Sequence, residues 1–535
     1  MNKRYNRVLF FLSILGITFS SSGCDFGGAL KGKEGTLKIS AFEGGTGATV
    51  WQKLADAYIR HNPRAKIEIN CTPLVRDECQ TAVETARSDT DIFFIDGCTT
   101  MKGIEYYHSI ANIAELYSST PKAGDQEENI TIAEKIRPEV LEMMKYTGDM
   151  PQYQGGYYTA PWLSGPAGLI LNMDALDNAL GKGNWSTPRT TNELLDLCDR
   201  IVAADAKVKI NGVNNKVYPF IYSSAVSYWR YLYYTWIAQY MGFDNYTEEF
   251  LKVKIDGEYN IEAFFSEGKY KGFEEIEKII KRENGYCDPV SLGNKFMASQ
   301  KYFLQGRACM YVTGDWFERE MEGSSYTTNM KMVKTPMISS FVTPFENKFN
   351  FSLGATAAEK ETKLCAIIDA IDNGDSSFEG LTAEQYAYAR ECRGYCFTLA
   401  YGSYCLVMES SVNKEMAIDF LRFYYSDEGI QIVLDDTKSL LPVINADNYE
   451  ISGDISDFRR TVNEIYFNEN FRSISGLYND PIRYRGGLGE HVNNETPEAA
   501  MGKKSGAMTA VEYLARERVL LTARWDDILR YVSEK

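Results

Sequence analysis

Residues Tyr153–Asp174 read YQGGYYTAPWLSGPAGLILNMD, and this stretch decides the fold. Gly155 and Gly156 form a turn before the β-prone pair Tyr157-Tyr158. Pro161 and Pro166 stop any helix through the middle, because proline removes a backbone donor and clashes with the preceding turn. Gly168–Met173 is then an apolar run of strand length. A strand, a proline-bracketed loop and a second strand make a crossover between two lobes, with Trp162 and Ser164 where the lobes meet. A buried Trp on such a loop also serves simply as core.

The surrounding chain is α/β. Thr36–Ser40 is a short strand that opens onto Phe42, Glu43 and a glycine cluster. Val50, Trp51, Leu54, Ala57 and Tyr58 then recur at helical spacing, and Ala65–Cys71 alternates as a strand. The glycine cluster has neither the Lys-Ser/Thr of a P-loop nor GxGxxG spacing, so it reads as a strand-to-helix loop at a cleft. After a helix through Glu84–Arg87, Asp91–Ile95 is apolar on both faces and belongs in the middle of a sheet. Asp96 therefore sits at a strand's carboxyl end, where open α/β sheets place ligands.

Farther on, Ser223–Tyr240 carries seven large aromatics. Five are expected in the core, with Tyr228 and Trp229 reaching a cleft. Cys309–Val312 is a strand, Gly314-Asp315-Trp316 a loop opening a helix, and Met332–Pro336 an extended piece able to cross back. Gly374 sits in a polar break whose ligand spacing fails the calcium-loop pattern, which leaves a solvated turn.

At 535 residues the chain exceeds one ordinary core, and two to four domains follow. A net charge of −16 argues against nucleic acid or anionic lipid as the main partner. Lys3, Arg4 and Arg7 precede an apolar run, Val8–Phe19, too short to span a bilayer, which reads as an export signal. Small residues then lead into Gly23-Cys24, which resembles a bacterial lipoprotein signal with Cys24 lipidated; Ser21 stands where that pattern prefers Leu. The other reading is a plain secretory signal. Asp25–Lys33 looks like a tether. The 11 cysteines include no CxxC pair. Cys71 and Cys79 are able to bridge, as are Cys392, Cys396 and Cys405; buried thiols are the alternative.

Four segments, in this order and spacing, carry a family resemblance: Phe42–Tyr58; Gly156–Asp174; Phe303–Trp316, FLQGRACMYVTGDW; and Asn413–Gly429, followed by Leu441-Pro442. The chain resembles extracellular solute-binding proteins of the carbohydrate-uptake type. The resemblance implies a two-lobed periplasmic-binding-protein-like α/β fold (type II), its lobes joined by crossing hinge segments. The expected divisions are a signal at 1–23, a tether at 24–35, a first lobe from 36–160 plus 340–433, and a second from 161–339 plus 434–535. Extra length is expected at Ala357–Arg393 and Thr461–Lys535.

The implied function is to capture a carbohydrate, an oligosaccharide by expectation, and deliver it to the permease of an ABC importer. The chain would be a monomer, held outside the cytoplasm by its lipid, with no cofactor, no metal and no chemistry on the ligand. Sugar rings have apolar faces and hydroxyl edges, so such a site needs flat aromatics and hydrogen-bonding carboxylates. The residues expected at the ligand are Phe42, Glu43, Asp96, Trp162, Ser164, Tyr228, Trp229, Asp315 and Trp316. The rivals are a binder of polyamine, peptide or metal-chelate, and an exported glycoside hydrolase. With only His61, His108 and His491, no Ser-His-Asp order is credible, and no HExxH motif occurs.

Overall fold

The computed structural model describes residues 34–97, 100–444, 449, 455–476, 480–491 and 495–534, without the side chains of 490 and 491. The expected export signal, the lipidated Cys24 and the tether up to Lys33 lie outside the described residues.

Two sheets organise the chain. The first has the order Ala65–Thr72, Gly35–Phe42, Ile92–Ile95, Tyr404–Val407, Ala160–Pro161. Its first three strands are parallel and its last two antiparallel to their neighbours. Ile92, Phe93, Phe94 and Ile95 are all buried, which explains their unbroken apolar run. Helix Thr49–His61 covers this sheet with Val50, Trp51, Leu54, Ala57 and Tyr58 on its buried face.

The second sheet runs Tyr218–Phe220, Ala308–Gly314, Pro166–Asn172, Tyr395–Thr398, Arg472–Ile474. Strands Pro166–Asn172 and Ala308–Gly314 are buried throughout. Asn172 ends the first of these and accepts from the Ala175 N–H at 2.9 Å, so one side chain closes the strand and caps helix Met173–Leu180.

The crossing from one sheet to the other is a hydrogen-bonded ribbon. Pro161 pairs with Tyr404 in the first sheet, and Pro166 with Thr398 in the second. Between these pairs the Trp162 N–H donates to Ser403 O at 3.0 Å, and the Leu399 N–H donates to Gly165 O at 3.4 Å. A third strand of contact joins where the Ser164 N–H donates to Leu440 O at 2.8 Å. Neither proline is asked for a ladder donor, so both fit this ribbon.

The observed lobes differ from the expected divisions. Met330–Val333 does not cross back; it pairs antiparallel with Pro166–Asn172 and stays in the second sheet. Helices Val342–Phe349, Ala357–Asp372 and Ala383–Gly394 therefore pack in the second core, through Phe345, Leu364, Ile368 and Tyr386. The chain returns to the first lobe only at 399–403. Leu440 and Leu441 then pack in the first core, whereas helix Asp457–Tyr466 lies against Met330–Val333 of the second sheet, where the Met332 N–H donates to Thr461 Oγ1 at 3.0 Å. Helices Ala510–Thr522 and Trp525–Ser533 do lie on the second core, through Tyr513, Leu521 and Ile528.

The C-terminal extension also reaches back across the lobes. Ile482 is in the second core, and Arg483 Nε donates to Leu251 O at 2.6 Å. Arg485 Nε donates to Glu105 Oε2 at 2.8 Å, and the Tyr484 hydroxyl donates to Glu105 Oε1 at 2.7 Å. Glu105 belongs to helix Thr100–Glu105 of the first lobe.

The nine cysteines described are free thiols, so neither candidate bridge forms. The polar break near Gly374 is more than a solvated turn, because Asp372 binds Arg393 Nη2 at 2.7 Å and Lys334 Nζ at 2.8 Å. Those two cations hold its carboxyl below the usual range against the opposing effect of burial.

Candidate functional site

Between the lobes lies a cavity of ≈ 740 Å³. The first lobe contributes Phe42, Gly44-Gly45-Thr46, Arg76 and Asp96; the crossing ribbon contributes Trp162, Gly165 and Leu399–Ser403 except Ala400. The second lobe contributes Tyr228, Arg230, Tyr231, Tyr234, Phe296, Asp315, Trp316 and Glu320. The floor is thus the hinge itself, and each wall belongs to one lobe.

Backbone geometry brings the walls together. Gly45 has φ 71°, and a Cβ built there would stand 3.2 Å from Trp316 Cβ of the opposite lobe. A side chain at Gly45 would therefore both strain the turn and press on Trp316. At the floor, a Cβ on Gly165 would lie 2.0 Å from the Asp315 carboxyl carbon, a position only glycine allows.

The aromatic wall comes from the start of helix Arg230–Met241. Trp316 meets Tyr228 edge-on at 6.2 Å and Tyr231 edge-on at 5.9 Å, while Tyr228 and Tyr231 stack at 5.3 Å. Tyr234 stacks on Phe397 at 6.0 Å. Trp316 and Tyr228 are partly exposed, so faces and edges of this group meet solvent. Burial pushes the Tyr228 hydroxyl well above its ordinary pKa and keeps it a neutral donor.

The carboxylates are mostly engaged. Asp96 accepts Arg76 Nε at 3.0 Å and also Arg76 Nη2, a bidentate pair at the rim. Asp315 is 3% exposed; its Oδ2 accepts from the Leu440 N–H at 3.4 Å and lies 3.6 Å from Arg459 Nη1. Burial raises the Asp315 carboxyl and Arg459 opposes that rise. Glu320 accepts from Gln300 Nε2 at 2.7 Å, and burial raises its pKa as well.

Of the residues expected at the ligand, Phe42, Asp96, Trp162, Tyr228, Asp315 and Trp316 line this cavity, and Glu43, Ser164 and Trp229 do not. Glu43 points to solvent one residue past the strand end. Ser164 is fully buried behind the ribbon. Trp229 is 1% exposed, packed at 5.1 Å from Phe220 and 5.9 Å from Tyr222 in the second core. Trp162 offers the cavity little surface. It is 2% exposed, packs against Trp51 at 5.3 Å, and its indole N–H is spent on Ile95 O at 2.9 Å.

Tyr234, Arg76 and Arg230 line the cavity without having been expected there, and Tyr231 lines it from the core, 2% exposed. Tyr228, Tyr231 and Tyr234 are spaced three apart, Tyr228 in the turn before helix Arg230–Met241 and the other two on it, and that spacing was the available signal. Among the described residues no group of His, Cys, Asp and Glu is arranged to hold a metal. No helix among them is long and apolar enough to cross a membrane.

The architecture has close parallels among solved structures. One, from xylan utilization by the thermophilic bacterium Caldanaerobius polysaccharolyticus, superposes with TM-score 0.59 at 15% identity, covering 90% of this chain and 99% of its own. A chitin oligosaccharide binding protein gives 0.57 at 12% identity, covering 92% and 100%. An ABC substrate-binding protein from Listeria monocytogenes in complex with cycloalternan gives 0.56 at 12% identity, covering 94% and 100%. At such identities the likeness is one of fold. No curated protein matches the sequence significantly. Residues 76–336, which hold the crossover, the aromatic wall and Trp316, match the family of bacterial extracellular solute-binding proteins.

Proposed function

We propose that the protein is the substrate-binding component of an ABC importer, capturing an oligosaccharide in the interlobe cleft and handing it to the membrane permease. The observation that carries this reading is the pair of half-buried rings Tyr228 and Trp316, backed by the buried Tyr231, on one wall of a ≈ 740 Å³ cavity whose floor is the hinge. Aromatic faces suit the apolar faces of pyranose rings, and the cavity falls in the range of small-molecule sites, about 300–1,000 Å³. Ligand contacts made by both lobes favour the closed state, which is how a permease distinguishes loaded from empty protein. The likeness to proteins whose names include a chitin oligosaccharide binder and a cycloalternan complex supports a carbohydrate over a peptide.

Catalysis is no part of this reading. A hydrolase needs two carboxyl groups free to act on the glycosidic oxygen and on water or the sugar carbon. Here Asp96 is bound by Arg76 and Asp315 by the buried Arg459. A polyamine would need the same carboxylates unpaired.

Export follows from the basic, apolar N-terminus, and we assign Cys24 as the lipid anchor that holds a monomeric chain at the outer face of the cell membrane. The lobe boundaries at 162–165 and 399–403 belong to the same reading, with these segments as the hinge. Two experiments test it. Differential scanning fluorimetry against an oligosaccharide panel should raise the melting temperature by mass action for at least one sugar. Cys24→Ala should move the exported protein from the membrane fraction to the soluble one; unchanged fractionation would remove the anchor.

A further inference from the structure

Five charged side chains line the cleft, and four of them are already engaged: Arg76 with Asp96, Asp315 with Arg459, and Glu320 with Gln300. Arg230 has neither a carboxylate nor an amide partner, and its guanidinium sits at the Tyr231 hydroxyl. Arg230 opens helix Arg230–Met241, it is exposed, and it lines the cavity beside Tyr231, whose ring centroid lies 5.3 Å from the guanidinium carbon. Among the described residues no carboxylate stands within ion-pair distance of it. The first turn of its helix holds no acidic residue, so nothing there offsets the charge.

The chain as a whole carries −16, and its overall field repels anions. A cation left unpaired in the cleft of such a protein is therefore a local device. The buried carboxyl that feels Arg230 is Glu498, which makes no ion pair with it and which burial pushes up to about 7. At mildly acidic pH that carboxyl is neutral, and the guanidinium fork, with one donor at the Tyr231 hydroxyl, has the others left for a planar or tetrahedral oxyanion.

We propose that the captured oligosaccharide is acidic, and that Arg230 receives its carboxylate or sulfate group while the half-buried Tyr228 and Trp316 stack the ring beside it. This rests on the carbohydrate reading above and narrows it to one substrate class. The aromatic wall supplies affinity for a ring of either charge, and Arg230 supplies the discrimination.

Calorimetric titration of the purified protein, Arg230→Gln and Arg230→Lys tests this. The probes are neutral oligosaccharides, uronate-containing oligosaccharides with their methyl esters, and sulfated oligosaccharides with their desulfated forms. An acidic probe should bind about tenfold or more tightly than its uncharged counterpart. Arg230→Gln should erase that preference at unchanged melting temperature, and Arg230→Lys should keep part of it. Whichever set responds, uronate or sulfate, identifies the anion. A neutral probe that binds as tightly as its acidic counterpart, or a preference that survives Arg230→Gln, overturns the proposal and leaves carbohydrate capture standing. Binding of none of the three sets overturns both.

Discussion

Arg485 Nη2 lies 2.8 Å from Glu105 Oε2, and neither side chain has any solvent exposure. The arginine belongs to the C-terminal extension, whose neighbouring Ile482 is in the second core, and the glutamate to the first lobe. Asp149 Oδ1 stands a further 2.8 Å from the same nitrogen. Breaking a buried pair by removing one partner leaves an uncompensated charge, which costs about 3–5 kcal/mol. Arg485→Ala should therefore lose stability on that order in urea unfolding. It should also loosen the lobes, read as a larger radius of gyration by solution scattering. A loss under about 1 kcal/mol with unchanged scattering would show that the pair does not couple the lobes.

The two expected stacking tryptophans should separate by kind of effect. Trp162→Ala removes a core side chain and should cost about 3–5 kcal/mol of stability. Trp316→Ala removes a half-buried ring of the cleft, and should lower stability far less while abolishing sugar binding. Paired melting and binding measurements check this. A Trp162→Ala protein that melts like wild type would contradict the packing described for it.

Gly165 should tolerate no side chain. A Cβ there would meet the Asp315 carboxyl at 2.0 Å, and Asp315 is itself fixed by Leu440 and Arg459. Gly165→Ala should destabilise by about 1–3 kcal/mol through overpacking at the hinge. An alanine variant with wild-type melting would show that the floor yields.

Glu498 gives a pH dependence with a definite sign. Burial raises its pKa to about 7 in the folded protein, above the ordinary glutamate value. The folded state then holds a proton that the unfolded chain has released. Its contribution is fully present below the ordinary value, declines as pH rises through the interval, and is gone above about 7. The span corresponds to something on the order of 3 kcal/mol. Glu498→Gln should therefore be more stable than wild type at pH 8 and about equal at pH 4. Equal stability at both would remove Glu498 as the cause.

Much of this architecture was legible in the chain. The all-apolar run Ile92–Ile95 and the proline-bracketed crossover at Pro161–Pro166 specified a central strand and a hinge through backbone chemistry alone. The lobe boundaries were not legible, because Met330–Val333 has the composition of any extended piece. Only its pairing with Pro166–Asn172 keeps it in the second sheet. The same limit divided the site residues. Trp162 and Trp316 look alike in sequence, each beside a turn and near a strand end. One is buried because its indole N–H finds Ile95 O, and the other stays at the cleft because Gly45 makes room opposite it. Trp229, expected at the cleft, is buried with Tyr231 in the second core, because the residue at which helix Arg230–Met241 begins decides which rings meet that core.

Carbohydrate capture rests on the Trp316 wall of the interlobe cleft. The most direct test is an oligosaccharide array probed with wild type and Trp316→Ala side by side. Wild type should bind at least one oligosaccharide, and the variant, folded with a melting temperature near that of wild type, should bind none. Wild type that binds no oligosaccharide, or a variant that binds the same sugar equally well, would contradict it.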